Sequence, residues 1–116
     1  MLIDMRQLHG VYLVCGKTDL RRGIDGLAAV VQEQYNLDPY SRAMFMFCGT
    51  RKDRFKALIW DGDGFLLLYK RIENGRLQWP NNQNEIKKLH TKQIERLLSG
   101  WALESSIKTS QPPRNH

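Results

Sequence analysis

Hydrophobic residues occur along the chain as short compact runs separated by polar turns. Two runs, GVYLVCG (Gly10–Gly16) and AMFMFCG (Ala43–Gly49), are rich in β-branched and aromatic residues and end at glycines. That pattern is typical of short buried strands. The runs RFKALIWD (residues 54–61) and FLLLYKRIE (residues 65–73) predict two further strands, and RLQWP (residues 76–80) predicts a last short strand that ends at a proline.

One segment between the first two strands has helical spacing instead. Within IDGLAAVVQEQYNL, apolar residues recur at intervals of three and four: Ile24, Leu27, Ala28, Val31 and Tyr35. This spacing predicts the main helix, which should end at DPYS because the residue before a proline avoids helical angles. A second, short helix is predicted over TKQIERLLSG, with Thr91 as its N-cap and Gly100 at its C-terminal end.

Together these elements predict a fold of the α+β class. The pair Asn74-Gly75 between strand-like flanks is a strong hairpin signal. We therefore expect a single domain over residues 1–103, an antiparallel meander of about four strands with one main helix packed on it and the short C-terminal helix. Residues 104–116, rich in Ser, Pro and Lys, are predicted to form a disordered tail.

Composition narrows the class of protein. The chain has 116 residues, with 18 Lys+Arg against 12 Asp+Glu and a formal net charge of +6, which favours a partner that carries phosphate. No apolar run approaches the roughly 20 residues that a membrane span requires, and a secretory signal is absent, so a cytoplasmic protein is expected. Cys15 and Cys48 match no metal-binding spacing and are predicted to be buried thiols.

The motif DGDG, residues 61–64, resembles a calcium-binding loop at first sight. Counted from Asp61, however, the third ligand position is Phe65 and the twelfth is Ile72, where such a loop needs oxygen ligands and a glutamate. Asp-Gly and Gly-Asp pairs are instead frequent in turns. The sequence therefore predicts a hairpin turn here, with no metal and no cofactor.

A turn of even length at DGDG sorts the flanking side chains onto two faces, because side chains alternate along strands. A core face would carry Phe55, Ala57, Ile59, Leu66, Leu68 and Ile72, with Lys70 as its one charged member. The other face would carry Arg54, Lys56, Leu58, Trp60, Phe65, Leu67, Tyr69 and Arg71, and with a two- or four-residue loop it would place Arg54 directly opposite Arg71.

Basic and aromatic side chains on one sheet face can hold single-stranded nucleic acid through phosphate contacts and base stacking. Two basic turns, KTDLRR (residues 17–22) and TRKDRFK (residues 50–56), add cations that can reach phosphates. Two alternatives stay open: the turns can be solvated charge, and the middle of the face can lie under a second helix. The sequence contains no phosphate loop and no catalytic triad pattern, so no enzymatic activity is expected.

A linked set of motifs between Val11 and Pro80 resembles the TnpB-type (second open reading frame) accessory proteins of insertion-sequence family sixty-six. The motifs are a strand, TDLRRG, IDGL, DPYS, the strand FMF, the basic turn RKDRFK, WDGDGF, YKRIE and WP. The sequence departs from the family pattern at Leu20, Arg42 and Thr50, where methionine, glycine and a further basic residue are usual. The polar positions that match the recurring motifs are Asp19, Arg21, Arg22, Asp25, Arg54, Lys56, Asp61, Lys70 and Arg71.

The resemblance implies an accessory protein of bacterial transposition, without catalytic residues of its own, that works beside a separate acidic-triad transposase and other element-encoded proteins. Together with the residue pattern it predicts binding to DNA at the element ends. The residues expected to contact phosphate are Arg21, Arg22, Arg51, Lys52, Arg54, Lys56, Lys70 and Arg71, and Trp60 and Tyr69 are expected to stack on bases. The alternative is a protein-interaction module that docks on the transposase through Trp60, Phe65 and Leu67.

Overall fold

The computed structural model describes residues 7–90, 92, 93 and 96 of the chain. In chain order the elements are β1 (Gly10–Val14), the helix α1 (Ile24–Ala29) with its π-helical continuation (Val30–Gln34), β2 (Ala43–Cys48), β3 (Arg54–Trp60), β4 (Phe65–Arg71) and β5 (Ile86–Lys88).

The five strands form one mixed sheet in the order β4-β3-β2-β1-β5. β2, β3 and β4 are joined as an antiparallel meander, as the sequence predicts. β1, however, runs parallel to β2, with Gly10 opposite Ala43 and Leu13 opposite Met46. A parallel pair requires a crossover connection, and the helix between β1 and β2 supplies it. The α+β domain with one main helix is confirmed, whereas the purely antiparallel meander is wrong.

The segment RLQWP is not a strand, although its alternating pattern predicted one. Leu77 and Trp79 are both buried, and they belong to the apolar cluster on the sheet face away from the helix. The indole N–H of Trp79 donates to the Val14 carbonyl at 2.9 Å, and the Phe55 and Trp79 rings stack at 6.4 Å. The alternation therefore marks residues that cover the sheet face, and not residues within its plane.

The turn at Asn74-Gly75 forms, with Gly75 at φ +102°, but the chain after it does not pair with β4 as a hairpin. Instead, the Leu77 N–H donates to the Lys52 carbonyl at 2.6 Å. The fifth strand lies later, in the polar segment for which the sequence predicts no definite element, and pairs antiparallel with β1 through Tyr12 and Lys88.

Both faces of the sheet are buried at its centre. One apolar cluster contains Met44, Met46, Ala57 and the covering residue Trp79. The second cluster lies between the helix and the sheet, and its buried members are Val14, Leu27, Val30, Val31, Ala43, Phe45, Phe47 and Leu58. This double burial explains why the sequence of β2 is an unbroken apolar run. A strand that is covered on both faces has no exposed side at which polar residues would alternate with apolar ones.

The main helix lies where its spacing predicts it. Leu27 and Val31 are fully buried against the sheet, and the wider π-helical turn lets Val30 be buried as well. Of the predicted C-terminal helix over residues 91–100, positions 92, 93 and 96 are described and are helical. The rest of that helix and the predicted tail over 104–116 lie outside the described residues.

Candidate nucleic-acid interface

The two basic turns of the sequence meet at one edge of the sheet. One turn follows β1 and the other follows β2, and the carboxyl ends of neighbouring parallel strands lie side by side. The Thr18 N–H donates to the Cys48 carbonyl at 2.8 Å, which ties the first turn to the end of β2. A Cβ on Gly49 would lie 3.3 Å from Leu20 Cγ, so glycine permits the close approach of the turns.

The start of β3 and the end of β4 lie at the same edge. Arg54 is directly opposite Arg71, as the sequence predicts, and Lys56 is opposite Tyr69. Turns and strand ends together enclose an open cleft of about 400 Å³. Its lining residues are Thr18, Asp19, Leu20, Arg21, Gly49, Thr50, Arg51, Arg54, Lys56 and Tyr69.

Arg21 is held in the cleft by a neighbouring carboxylate. Its Nε and Nη2 donate to the two carboxylate oxygens of Asp19, both at 3.0 Å, and its backbone N–H donates to the same Oδ1 at 3.0 Å. These hydrogen bonds lower the pKa of Asp19 from 3.8 to about 2, and the largest contribution comes from the Arg21 guanidinium. Asp19 is therefore ionised at neutral pH and orients the turn.

Arg54 is oriented in the same way on the opposite wall. Its Nε donates to Asp53 Oδ1 at 2.9 Å, and its Nη1 lies 3.5 Å from the Tyr69 hydroxyl. The guanidinium lowers the pKa of Asp53. Only 25% of the Arg54 side chain is exposed, whereas Tyr69 is 54% exposed. The ring of Tyr69 is thus the accessible surface next to a positioned guanidinium.

Lys56 also lines the cleft, and Arg22 and Arg71 lie next to it. The Lys56 ammonium donates to the Arg22 carbonyl at 3.1 Å and so links the wall of β3 to the first turn. Arg22 itself lines an adjoining polar cavity of about 200 Å³. Arg71 is exposed and donates from Nε to Glu73 at 2.9 Å. Arginines and lysines outnumber carboxylates around the cleft, which leaves it positively charged.

Trp60 lies away from this group, at the other end of β3. Arg54 and Trp60 are six residues apart on one strand, which corresponds to about 20 Å. The Trp60 ring packs against Tyr40 and Phe65, with both centroid distances 5.0 Å. The expected combination of Trp60 with the basic residues therefore does not form.

Lys52 and Lys70 also lie outside the cleft. Lys70 is opposite Phe55 in the register, so its side chain belongs to the sheet face away from the helix, and it is exposed there. Lys52 lines a separate cavity beside Trp79. Of the eight cations predicted to contact phosphate, four line the cleft, Arg22 and Arg71 lie next to it, and Lys52 and Lys70 lie apart from it.

The face predicted to be basic and aromatic is open only at its ends. Leu58, at its centre, is fully buried in the cluster under the helix, and Phe65 and Leu67 pack against the same cluster. The basic end of this face and its aromatic end are therefore two separate surfaces. The middle of this face is covered, but the main helix covers it and not the second helix that the alternative named.

The turn at DGDG uses its first carboxylate for local hydrogen bonds. Asp61 Oδ1 accepts the backbone N–H groups of Asp63 at 3.2 Å and Gly64 at 3.1 Å, which lowers the pKa of Asp61. Gly62 has φ +110°, as a turn glycine can. The prediction of a hairpin turn is confirmed. Within the described part of the chain, no group of three or more His, Cys, Asp or Glu side chains is arranged to hold a metal ion.

Sequence reasoning missed the neutral lining of the cleft. Thr18, Leu20 and Thr50 line it together with the arginines, and Leu20 lies close to Gly49. The sign that could have located them is the strand-helix-strand order of β1, the helix and β2, which is typical of a parallel pair. That order places the residues after each strand at a shared edge.

No helix among the described residues is both long and apolar enough to cross a membrane. The two cysteines are buried free thiols, as predicted, and burial raises the pKa of both Cys15 and Cys48.

Comparison with known proteins gives consistent matches over most of the chain. The model of the family described as IS66 Orf2 like protein matches residues 9–108. The uncharacterised protein y4hO of Sinorhizobium fredii is 36% identical over 104 residues, which cover 90% of each chain. The uncharacterised protein y4jC of the same organism is 33% identical over 82 residues, covering 71% of this chain and 70% of its own. No solved structure matches the chain.

Proposed function

Because this chain belongs to the family of IS66 Orf2-like proteins, which are insertion-sequence-associated accessory proteins, we propose that it binds DNA during transposition and has no catalytic activity of its own. The observation that supports this most is the convergence of the two basic turns and Tyr69 on one open cleft. Four cations from three separate segments line it: Arg21, Arg51, Arg54 and Lys56.

The proposed contacts are of two kinds. Arginines and lysines at the cleft bind phosphates of the DNA backbone, independently of base sequence. The exposed ring of Tyr69 stacks on an unpaired base next to those phosphates. Arg22 and Arg71 extend the basic surface on either side of the cleft, whereas Trp60, Lys52 and Lys70 are not part of it.

The carboxylates of the cleft support the non-catalytic part of the proposal. Asp19 and Asp53 each accept hydrogen bonds from an arginine, and the pKa of each is lowered. A general acid or base works best when its pKa lies near the working pH, and Asp19, with a pKa of about 2, is far from it. A nuclease assay with added divalent metal ions should accordingly show no cleavage, and metal-dependent cleavage would contradict this part.

A salt titration of DNA binding tests the cleft directly. The chain is titrated with element-end DNA and with unrelated DNA of equal length over a range of salt concentrations. Each phosphate contact should contribute about 0.9 to the log–log slope of affinity against salt. Lys56→Ala should weaken binding and lower the slope by about this amount, since it removes one phosphate contact.

Lys70→Ala is the matched control, because Lys70 is a lysine on the neighbouring strand of the same hairpin but on the other sheet face. It should leave affinity and slope unchanged. Thermal unfolding of both variants shows whether the fold is intact. Equal losses of affinity for the two variants, or native binding that does not depend on salt, would contradict the proposed surface.

Docking on the transposase is the second candidate function. The aromatic group of Tyr40, Trp60 and Phe65 supports it, because Tyr40 is 56% exposed at the end of the sheet opposite the cleft. A pull-down of the transposase with this chain in nuclease-treated lysate separates the candidates. A complex that survives nuclease favours docking, and its loss favours association through DNA.

A further inference from the structure

The outer edge of β4 is an unpaired strand edge within the described part of the chain. β4 is the last strand of the sheet and pairs with β3 on one side only. The Asp61 N–H donates to the Gly64 carbonyl, and the Ile72 N–H donates to the Asp53 carbonyl. These two bonds show which residues of β4 direct their backbone groups towards β3, because such residues alternate along an antiparallel strand. Residues 66, 68 and 70 therefore bond to β3, and the outward backbone groups belong to the alternate residues: Phe65, Leu67, Tyr69 and Arg71.

This edge lacks the usual features that prevent strands from pairing with other chains. Such features are short length, proline, bulges and charged residues along the edge. β4 has seven residues, FLLLYKR, with no proline and with its two charges at one end. The other edge of the sheet, β5, differs in length and in charge, since it has three residues and exposes Lys87 and Lys88. Leu68, at the centre of β4, is 38% exposed.

We propose that β4 pairs with β4 of a second copy of this chain, antiparallel and centred on Leu68. In this register the outward backbone groups meet only outward groups, with Phe65 opposite Arg71 of the second copy and Leu67 opposite Tyr69. All outward N–H and C=O groups of the strand are then satisfied. The inference does not depend on the proposed DNA binding.

The distribution of charge favours the antiparallel arrangement. Lys70 and Arg71 lie at the end of β4, whereas Asp61 and Asp63 lie in the turn that precedes it. An antiparallel pair brings the basic end of one copy towards the acidic turn of the other. A parallel pair would instead place Arg71 beside Arg71, and like charges directly opposite one another destabilise a sheet.

Pairing would also complete the cleft. Tyr69 lies diagonal to Tyr69 of the second copy, about 7–8 Å away on the same sheet face. Leu67 of the second copy lies directly beside Tyr69 and forms a further wall of the cleft. The two clefts would face the same side of one continuous sheet, related by a two-fold axis.

Disulfide trapping tests both the contact and its register. In the proposed pair the two Leu68 residues face each other at a non-hydrogen-bonded position, about 4.5 Å apart between Cα atoms. This separation is within the range that a disulfide spans. Leu68→Cys should therefore form a covalent dimer under mild oxidation. Lys70→Cys is the control, because residue 70 faces residue 66 of the second copy, and it should form no disulfide-linked dimer.

Sedimentation of the unmodified chain tests the association without cross-linking. The chain of 13.6 kDa should sediment at twice that mass. Leu68→Lys places two like charges at the two-fold axis and should shift the mass to that of a monomer, with unchanged circular dichroism. A chain that is monomeric at all concentrations would overturn the proposal. So would a dimer that Leu68→Cys traps no better than Lys70→Cys does, because its register would then be different.

Discussion

The two ends of the β3–β4 hairpin are built from the same strands but differ in character. At one end, Arg54 and Arg71 lie opposite each other beside an open cleft. At the other end, Trp60 and Phe65 lie opposite each other and pack with Tyr40 into a compact aromatic group. At the basic end Tyr69 and Arg71 are exposed to solvent beside a partly buried Arg54, whereas at the aromatic end the rings pack against one another.

The difference comes from what the rest of the chain adds to each end. The turns after β1 and β2 extend the basic end and add Arg21 and Arg51 to it. Tyr40, in the segment before β2, completes the aromatic end. A sheet face that carries basic and aromatic residues in sequence can therefore hold two separate surfaces, because a seven-residue strand is about 20 Å long.

The largest expected effect comes from the buried middle that the two ends share. Leu58 is fully buried under the helix, so Leu58→Ala should lower the free energy of unfolding by about 2–5 kcal/mol, through lost burial and the cavity that remains. Leu68→Ala, at a site that is 38% exposed, should cost less than about 1 kcal/mol. Chemical denaturation of the monomer measures both. Equal losses would mean that the helix does not seal the middle of this face.

The next largest effects concern one aromatic residue at each end of the hairpin. Trp60 is expected to affect stability, and Tyr69 is expected to affect DNA affinity. Trp60→Ala should lower the free energy of unfolding by about 1–3 kcal/mol, because it removes two ring contacts, and leave DNA affinity unchanged. Tyr69→Ala should do the reverse, lowering affinity by about 1–3 kcal/mol through lost stacking. Denaturation and DNA-binding curves for both variants check this. If both variants changed only stability, or both changed only DNA affinity, the two ends would not have the separate roles expected of them.

The smallest effect concerns the pH response of the basic end. Since the pKa of Asp19 is lowered to about 2, its ion pair with Arg21 adds stability that is present above pH 4 or so and is lost as the pH falls towards 2. Arg21→Gln should return the pKa of Asp19 towards 3.8, as followed by NMR titration of the carboxyl group. Arg22→Gln, which removes a charge with a smaller effect on Asp19, should raise the pKa of Asp19 less. A native pKa near 3.8 would show that the ion pair does not persist in solution.

Much of the fold could be predicted from local patterns. Helical spacing located the main helix, apolar runs located β1 to β4, and the Asp-Gly pairs located the turn that sets Arg54 opposite Arg71. These features depend on residues that are close in sequence. RLQWP was misassigned because a segment that covers a sheet face through Leu77 and Trp79 shows the same alternation as an edge strand. β5 was not predicted because it is short and polar, and pairing with β1 decides its conformation.

The structure explains why glycine is usual at the position of Arg42 in the family pattern. The family pattern that the sequence resembles usually has glycine at this position, and the backbone of Arg42 has φ +56°. Glycine adopts this left-handed conformation without steric cost, whereas other residues adopt it at a cost of roughly 1–2 kcal/mol. The arginine is therefore accommodated in a conformation that suits glycine better.

The sequence by itself determined the main helix, β1 to β4, the turn at DGDG with the register that an even-length turn imposes on β3 and β4, and the family to which the chain belongs. All of these depend on residues at fixed spacings. Only the tertiary structure decided that β1 runs parallel to β2, because an apolar run buried on both faces has the same pattern in either direction. That single choice of direction brings the two basic turns to one edge of the sheet. It also places the helix over the middle of the hairpin face, so the cleft exists as a consequence of strand direction.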